Sequence, residues 1–389
     1  MSVLSDTGLS GNRVELLENG SAYFPALCAA IDAAQYEIDL QTYIFNFDAT
    51  GVMIAAALIR VAQRGVQVRV LVDGFGSRNA SPERVAELRQ AGVNWVVFHP
   101  EYGLISLRRH RLRRLHRKVV VIDAQIAFVG GINIIDDMET PGQIPPRCDY
   151  AVRVRGPILR TIAADVSRLW VFVSFIQNRI TSHVHSHPEE QSSPAGSDRV
   201  RFLVRDDFHH RRDIEQAYLA AIKAAHESIL IANAYFLPGI RFRRMLTDAA
   251  ARGVKVTLLL QGRLEYRLMR YASHAFYGQL LGAGVNICEY RKSFLHAKVA
   301  VIDGCWATVG SSNIDPFSLL LAREANLVIE SSEFAQTLTQ RLLIIMQQGG
   351  VAVCSADWKR RAWYQKLLSS MALALVRVLT GLVGYSERK

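Results

Sequence analysis

The sequence is poor in cysteine, and the few cysteines that it has are scattered. Its 389 residues include five, at Cys28, Cys148, Cys288, Cys305 and Cys354, and no two of them form a CxxC pair. An odd, scattered set argues against a disulfide framework and a zinc site, and it fits a reducing cytoplasmic compartment. The first twelve residues have neither a basic start nor an apolar run, so the sequence predicts no signal peptide.

Lysine is also scarce, although the chain as a whole is basic. Only 8 of the 46 basic residues are lysines, and with 35 acidic residues the formal net charge is +11. Such an excess favours a polyanionic partner, namely nucleic acid, an anionic membrane surface or phosphate groups. Arginine suits phosphate because its guanidinium group binds it in a bidentate manner. Half of the residues are hydrophobic and 21% are charged, which excludes general disorder.

Four segments of the chain recur in the same order, so the sequence contains an internal duplication. The pairs are AAIDAAQYEIDLQTYIF at 29–45 with AAIKAAHESILIANAYF at 220–236, RGVQVRVLVDG at 64–74 with RGVKVTLLLQG at 252–262, AGVN at 91–94 with AGVN at 283–286, and LHRKVVVIDAQIAFVGGIN at 115–133 with LHAKVAVIDGCWATVGSSN at 295–313. Each copy alternates amphipathic helices with apolar strands. This order predicts an α/β fold with a mixed or largely parallel sheet and helices on both faces.

The repeats and the composition between them divide the chain into four parts. We expect a first lobe at 1–180, a linker at 181–199, a second lobe at 200–350 and a separate tail at 351–389. The linker is polar and rich in Ser, His and Pro, which is typical of a surface connection. Its three histidines have no further candidate ligands nearby, so we interpret them as solvated rather than metal-binding.

The last repeated segment carries an H-x-K-x4-D motif, followed in both copies by G-x2-N. The first copy contains His116, Lys118, Asp123 and Asn133, and the second contains His296, Lys298, Asp303 and Asn313. Since alternate residues of a strand face the same side, the histidine and lysine of each copy project together. The aspartates fall where the strand turns, so we expect a mainly structural role for them, although they count among the catalytic residues as members of the motif.

Two histidines and two lysines that converge between the lobes fit the chemistry of a phosphodiester. The ammonium groups can bind the phosphoryl oxygens while one imidazole attacks phosphorus. The other imidazole can protonate the leaving alkoxide and then deprotonate the incoming alcohol. This chemistry requires no metal ion and no other cofactor. The competing interpretation, solvated residues at strand edges, is disfavoured because the motif and its flanks occur twice.

These duplicated motifs resemble those of the phospholipase D superfamily, and within it the chain is similar to bacterial cardiolipin synthases, most closely to the class called cardiolipin synthase B. The resemblance covers almost the whole chain, and the closest matches are NRVELLENGSAYFPALCAAI, CDYAVRVRGP, IANAYFLPG, LHRKVVVIDAQIAFVGGIN and LHAKVAVIDGCWATVGSSNIDPFSLLLAREANLVI. It implies two similar α/β sandwich lobes with the active site at their interface. It also implies a reaction in which two phosphatidylglycerols give cardiolipin and glycerol.

The resemblance assigns a role to each member of the motif. His116 and His296 correspond to the catalytic pair, and Lys118 and Lys298 to the lysines that bind the phosphate. The sequence alone does not say which histidine is the nucleophile, and the family favours the one in the N-terminal motif. We therefore expect His116 to attack phosphorus.

Further positions match polar residues of the family. Ser311, Asn313 and Asn133 match positions that contact phosphate. Glu324 matches the acidic residue that orients a motif histidine, and Asp149 is its expected counterpart in the first half. The first copy departs from the pattern because a glycine, Gly131, stands where the second copy has Ser311.

Two features outside the repeat indicate a lipid surface. An insertion before the first motif ends in SLRRHRLRRLHRK, and its arginines are expected to bind an anionic bilayer; they are Arg108, Arg109, Arg111, Arg113, Arg114 and Arg117. The tail segment LLSSMALALVRVLTGLVGY at 367–385 is expected to form an interfacial helix, with a core helix or a membrane span as alternatives. The expected partners are phosphatidylglycerol and an anionic membrane surface, without nucleic acid. The expected location is the cytoplasmic face of the bacterial inner membrane, as a peripheral protein.

Three functions stay open at this point. The first is a phosphatidyl transferase that makes cardiolipin, and the second is a phosphodiesterase of the same fold, either a lipase or a nuclease. The third is a non-enzymatic protein that binds anionic membranes, which the intact duplicated motif disfavours. Transfer and hydrolysis differ only in the acceptor that reaches the intermediate, and the sequence does not show that acceptor.

Overall fold

The computed structural model describes residues 8–100, 113–140, 144–177, 193–206, 209–263 and 267–382. The first lobe contains β1 (Leu9–Glu18), α1 (Asn19–Asp32), β2 (Glu37–Thr42), α2 (Ala49–Gln63), β3 (Gln67–Asp73), α3 (Pro82–Gln90), β4 (Asn94–Phe98), β5 (Lys118–Ile122), β6 (Ile126–Gly130), β7 (Tyr150–Arg155) and α4 (Leu159–Ile176). Much of the predicted linker falls outside the described residues, as do Arg108, Arg109 and Arg111 of the insertion.

The second lobe repeats this order and then adds a tail. It contains β8 (Asp198–Arg205), α5 (Asp213–Ala224), β9 (Ser228–Asn233), α6 (Ile240–Ala251), β10 (Lys255–Gln261), α7 (Arg267–Gly282), β11 (Asn286–Tyr290), β12 (Lys298–Ile302), β13 (Trp306–Gly310), α8 (Pro316–Leu320), β14 (Glu324–Glu330), α9 (Ser332–Gly349) and β15 (Gly350–Ala352). The tail forms α10 (Ser355–Lys359) and α11 (Trp363–Leu382).

The strands form a mixed sheet whose order reflects the duplication. The order is β15-β11-β10-β9-β12-β13-β14-β8-β1-β7-β6-β5-β2-β3-β4. Apart from β15, the strands on the two sides of the β8–β1 pair follow each other in the same order, and each strand of one lobe has its counterpart in the other. Strands β2, β3 and β4 are mutually parallel, as are β9, β10 and β11, and the remaining pairs are antiparallel. The duplicated α/β architecture predicted from the repeats is therefore confirmed.

Three large hydrophobic cores arrange these elements in layers. The central core joins apolar residues of both lobes, such as Val119 and Val129 from the first and Val299 and Val309 from the second, and α4 and α9 contribute to it. The outer face of each lobe's sheet packs against its own helices, α1 and α2 in the first lobe and α5, α6 and α7 in the second. The part of the sheet in each lobe therefore has apolar contacts on both faces. This explains why its strands are continuous runs of apolar, β-branched residues.

The repeated RGV tripeptides end α2 and α6 in the same manner. Gly65 and Gly253 have φ values of 91° and 92°, a left-handed conformation that a residue with a Cβ atom adopts only under strain. The chain can therefore turn directly from each helix into the following buried strand.

Helix α11 is partly a core element and partly exposed. Ala372 and Val376 are buried in the outer core of the second lobe, where α11 packs against α7. On its other side the helix exposes a stripe of large apolar residues: Trp363, Tyr364, Leu367, Leu368, Met371, Leu375 and Val378. The tail is therefore not a detached module. Across the described ranges, no helix combines the length and apolar character needed to span a bilayer.

Candidate active site

The two motif segments lie where the lobes meet, and each is bonded to the opposite lobe through its backbone. The His116 N–H donates to the carbonyl of Arg323 at 2.9 Å, and the His296 N–H donates to the carbonyl of Cys148 at 2.7 Å. Isolated parallel bridges join Leu115 with Arg323 and Cys148 with Leu295. The interface thus fixes the backbone position of both histidines.

The side chains of the histidines are also held across the interface. His116 Nδ1 lies 2.8 and 3.0 Å from the two carboxylate oxygens of Glu324, and His296 Nδ1 lies 2.6 Å from Asp149 Oδ2. Asp149 and Glu324 occupy equivalent positions, because Gly130 pairs with Ala151 as Gly310 pairs with Asn326. With Nδ1 bound to a carboxylate, Nε2 of each imidazole is left to face a substrate.

The motif lysines are buried beside the histidines. The Nζ of Lys118 donates to the carbonyl of His116 at 2.5 Å, and Lys298 donates to the carbonyl of His296 in the same way. Burial, against the opposing charge of Glu324 and together with the charge of Lys298, lowers the pKa of Lys118 to about 7. Burial likewise lowers the pKa of Lys298 to about 8. Two ammonium groups that cannot be fully solvated favour an anionic ligand between them.

Burial favours the neutral form of both imidazoles. Burial lowers the pKa of His296 to about 3, and the charge of Lys298 acts in the same direction against the opposing effect of Asp149. Burial also lowers the pKa of His116, although Glu324 opposes it. A neutral imidazole whose Nδ1–H is donated to a carboxylate carries its lone pair on Nε2, which is the form that can attack phosphorus.

Ser311, which is expected to contact phosphate, is hydrogen-bonded within the protein. Its hydroxyl is fully buried, donates to Glu324 Oε2 at 2.5 Å and accepts the N–H of Ala325 at 3.0 Å. The serine therefore supports the carboxylate that holds His116. The first lobe has Gly131 at the position of Ser311. A Cβ atom added to Gly131 would lie 2.3 Å from Asp149 Oδ1. The carboxylate of Asp149, on a shorter side chain than that of Glu324, therefore fills the space that the Ser311 side chain fills in the second lobe.

The two asparagines of the motif are buried, and each is hydrogen-bonded within the protein. Asn133 Oδ1 accepts the N–H of Ile44 at 3.2 Å. Asn313 donates through Nδ2 to Ser318 Oγ at 3.4 Å, while its Oδ1 is buried without a hydrogen-bond partner in the described part of the chain. These amides brace the loops after β6 and β13.

The motif aspartates lie away from the histidines, so the structure does not bring them into the candidate site. Asp123 and Asp303 end β5 and β12, about 16 Å along the strand from the lysines at 3.3 Å per residue. Asp123 accepts three backbone N–H groups at residues 35–37, and Asp303 accepts three at residues 226–228, all at 2.7–2.9 Å. Both have a φ of 50°, as the hairpin turn requires.

Arg117 also differs from its expected membrane-facing role. Its side chain is 4% exposed, pairs with Asp165 at 2.5 Å and donates to Gln41 at 2.7 Å. Because Arg117 lies between His116 and Lys118, strand alternation directs it to the opposite face, where α4 covers it. Among the arginines of the insertion that the structure describes, Arg113 is exposed.

Two supporting residues were missed by the sequence reasoning. Asp73 Oδ2 accepts the N–H of Leu115 at 2.8 Å, and Gln261 Oε1 accepts the N–H of Leu295 at 3.1 Å. They hold equivalent points of the backbone next to each histidine. The signal was present, because Asp73 and Gln261 occupy the same position, next to last, in the two copies of the second repeated segment.

The described residues contain no group of three or more His, Cys, Asp and Glu side chains placed to hold a metal ion. What they bring together is two imidazoles, two ammonium groups and two orienting carboxylates. Such an arrangement can bind a phosphodiester, attack it and transfer a proton.

Comparisons with known proteins agree with this geometry. The family described as cardiolipin synthase, PLD-like domain, matches residues 27–138 and 218–346. Cardiolipin synthase B of Escherichia coli strain K12 is 40% identical over 375 residues, covering 96% of this chain and 90% of that protein. A cardiolipin synthase of Geobacillus kaustophilus is 33% identical over 333 residues, covering 85% and 66%.

A solved structure extends the comparison to the fold. The phosphatidylserine synthase of Haemophilus influenzae aligns with a TM-score of 0.68 at 14% identity, covering 95% of this chain and 94% of that one. The fold and the paired motifs thus define a phospholipase D-like enzyme. Within that class, the chain belongs to the cardiolipin synthase family.

The depressed lysine pKa values predict an alkaline limit to phosphodiester turnover. Protonated lysine dominates below its pKa, so the anion-binding charge is lost as the pH rises through about 7 and 8. The value of kcat/KM for a soluble short-chain phosphodiester should therefore fall on the alkaline side of neutrality, because this ratio reports the free enzyme. A kcat/KM that stays constant up to pH 9.5, in protein whose fold is intact by circular dichroism, would contradict this assignment.

Proposed function

We propose that this chain is a cardiolipin synthase that transfers a phosphatidyl group from one phosphatidylglycerol to another through a covalent phosphatidyl-histidine intermediate. The cross-lobe pairs His116–Glu324 and His296–Asp149 are the observation that carries this proposal. They supply two imidazoles that are oriented alike, next to two buried ammonium groups. The names of the relatives favour transfer to a lipid alcohol over hydrolysis.

In the first step, the phosphodiester of the donor lipid binds between Lys118 and Lys298. The Nε2 lone pair of His116 attacks phosphorus, the bond from phosphorus to the glycerol oxygen breaks, and His296 gives a proton to that oxygen. His296 must be protonated at this stage. The negative charge of the bound phosphodiester raises its pKa by offsetting the charge of Lys298.

In the second step, a second phosphatidylglycerol replaces the free glycerol. Neutral His296 takes the proton of the acceptor's primary hydroxyl, and the oxygen of that hydroxyl attacks phosphorus. The bond between phosphorus and His116 breaks, its electron pair returns to Nε2, and cardiolipin is released. Glu324 stabilises the charge on His116 while it carries the phosphatidyl group.

Substitution of either histidine tests the mechanism. His116→Ala and His296→Ala should each lower phosphatidyl transfer roughly a thousandfold or more, because the two steps use both imidazoles. The measurement is conversion of radiolabelled phosphatidylglycerol to cardiolipin after lipid separation. The matched control is His226→Ala, which removes an exposed histidine side chain and should leave transfer unchanged. Near wild-type transfer in either site variant would refute the paired-histidine mechanism.

The same variants distinguish the roles of the two residues. A short-chain phosphatidyl p-nitrophenyl diester needs little help from an acid, so His296→Ala should still form the intermediate and accumulate it. After denaturation at alkaline pH, which preserves phosphohistidine, the label should lie on the peptide that contains His116. Label on the His296 peptide of the other variant, and none on His116, would reverse the assignment.

We further propose that the exposed stripe of α11 docks the protein on an anionic membrane, as a peripheral protein at the cytoplasmic face. The stripe follows helical spacing, with Tyr364, Leu367, Leu368, Met371 and Leu375 between 44% and 59% exposed. Buried Ala372 and Val376 hold the opposite side of the helix on the second lobe. A fixed helix with an apolar outer face, with Arg360 just before it and Lys366 in its first turn, fits the interface of a bilayer.

Point substitutions on the stripe test this docking without removing the buried side of α11. The double variant Leu368→Gln and Met371→Gln should bind phosphatidylglycerol vesicles roughly 30-fold more weakly, from about 1 kcal/mol of apolar insertion per side chain. The matched control is Leu343→Gln and Ile344→Gln on α9, whose side chains are similarly exposed. Turnover of a soluble diester should be retained in both. Equal vesicle binding by the two double variants would contradict the docking proposal.

A further inference from the structure

One aromatic ring of the first lobe contacts both the histidine and the lysine of the first motif. The ring of Tyr43, which follows β2, lies 4.9 Å from the His116 ring between centroids, at an interplanar angle of 61°. The Nζ of Lys118 lies over the same ring, 5.5 Å from its centroid. Tyr43 is partly exposed, whereas Lys118 is buried. The two motif side chains of the first lobe therefore rest against one aromatic ring.

The turn after β3 holds this ring in place. Gly76 packs so closely that an added Cβ atom would lie 2.3 Å from the Tyr43 carbonyl oxygen and 2.9 Å from the Tyr43 Cδ2 atom. The hydroxyl of Ser77 donates to the same carbonyl oxygen at 3.0 Å. Asp73 accepts the N–H of Gly76 at 3.0 Å, and it accepts the N–H of Leu115, the residue before the motif histidine, at 2.8 Å. One turn thus fixes both the tyrosine and the backbone of the motif.

The second lobe has no counterpart of this arrangement. In the first pair of repeated segments Tyr43 corresponds to Ala234, which is buried. His296 contacts the ring of Phe294 instead, from a different position of the repeat, and the two rings are nearly parallel with centroids 5.8 Å apart. The cation over Phe294 is Arg147, and across the described part of the chain the second motif lysine makes no cation–π contact. The two motif lysines therefore have unlike surroundings.

We propose that Tyr43 is a positioning residue for the attack on phosphorus. Its ring limits the tilt of the His116 imidazole, whose Nδ1 is held by Glu324, and its π face stabilises the ammonium form of Lys118. The inference rests on the proposed function, in which His116 is the nucleophile. It goes further because it assigns a role to a residue outside the motif that has no equivalent in the other lobe.

The contact with the imidazole acts on the rate of attack. A hydrogen bond at Nδ1 fixes one atom of the His116 ring, and a second contact is needed to fix the tilt that aims Nε2 at phosphorus. A nucleophile displaced by about 1 Å can lose roughly a hundredfold in rate. Because the Tyr43 ring packs against the imidazole, its removal should slow the attack more than it weakens binding of the substrate.

The contact with the lysine acts on its charge. Burial and the charge of Lys298 favour the neutral amine of Lys118, whereas the surrounding carboxylates favour the ammonium form. These carboxylates belong to Glu324, Asp149 and Asp73. The face of an aromatic ring also attracts a cation within about 6 Å. An apolar side chain in place of Tyr43 would keep water out without this attraction, so it should lower the pKa of Lys118.

Substitution of Tyr43 by leucine and by phenylalanine tests the effect on the rate. With a short-chain phosphatidyl p-nitrophenyl diester, the burst of p-nitrophenolate in stopped flow reports formation of the intermediate. Below neutral pH, Tyr43→Leu should lower the burst rate constant roughly tenfold, while the half-saturating concentration changes by less than about twofold. Tyr43→Phe keeps the ring and should restore most of the burst rate. A folding defect would lower the burst amplitude, which counts the competent protein, and not the rate constant.

The pH profile separates this role from a merely structural one. In Tyr43→Leu the alkaline fall of kcat/KM should begin about half a pH unit lower than in wild type, because the ammonium form loses the aromatic face. A substitution that only loosened the site would admit water, raise the pKa of Lys118 and move the fall to higher pH. Tyr43→Phe should keep the wild-type profile. The control is Tyr36→Leu, which removes an exposed tyrosine ring just before β2 and should match wild type in both measurements.

The outcomes distinguish this inference from the proposed function. A wild-type burst rate in Tyr43→Leu would overturn the inference, and so would an alkaline limit that is unchanged or displaced to higher pH. Absence of a burst in the wild-type protein, or label on the peptide that contains His296, would instead refute the proposed function.

Discussion

The exchange of side-chain contacts between the lobes is the constraint on which the candidate site depends. His116 of the first lobe is bound by Glu324 of the second, and His296 of the second is bound by Asp149 of the first. Neither of these two pairs is complete within one lobe. All four groups are largely buried, so loss of one partner would leave an unpaired polar group in a dry interface, at a cost of several kcal/mol. Strands β1 and β8 pair with each other, so the sheet continues from one lobe into the other. The shared central core also holds the two lobes together.

Burial explains why the site favours an anion. Lys118 and Lys298 lie at the interface with depressed pKa values, and the neutral form of the imidazoles is favoured for the same reason. In the proposed mechanism, the negative charge of a bound phosphodiester offsets the charge of the lysines, and it thereby allows His296 to take up the proton that the first step needs. Binding of the substrate and protonation of the acid are thus linked by one electrostatic effect.

Much of this arrangement could be predicted from the sequence because it repeats. The duplication predicted two lobes, and strand alternation placed each histidine beside its lysine, since both rules depend only on local sequence. The same alternation would have directed Arg117 away from the site, although its partner Asp165 lies 48 residues further along and could not be foreseen. The hydrogen bond between Ser311 and Glu324 could not be predicted from the sequence, because it depends on the side-chain length of the partner. The burial of one side of α11 could not be predicted from the sequence either, since the packing of α11 on α7 is a tertiary contact.

The stereochemistry at phosphorus tests the central claim most directly. The substrate is a phosphatidylglycerol whose phosphate carries one sulfur and is of a single configuration, and the product is the corresponding phosphorothioate cardiolipin. Each in-line displacement inverts phosphorus, so attack by His116 followed by attack of the acceptor inverts it twice. The account predicts that the product retains the configuration of the donor. Inversion would show a single direct displacement by the acceptor and would contradict the covalent intermediate.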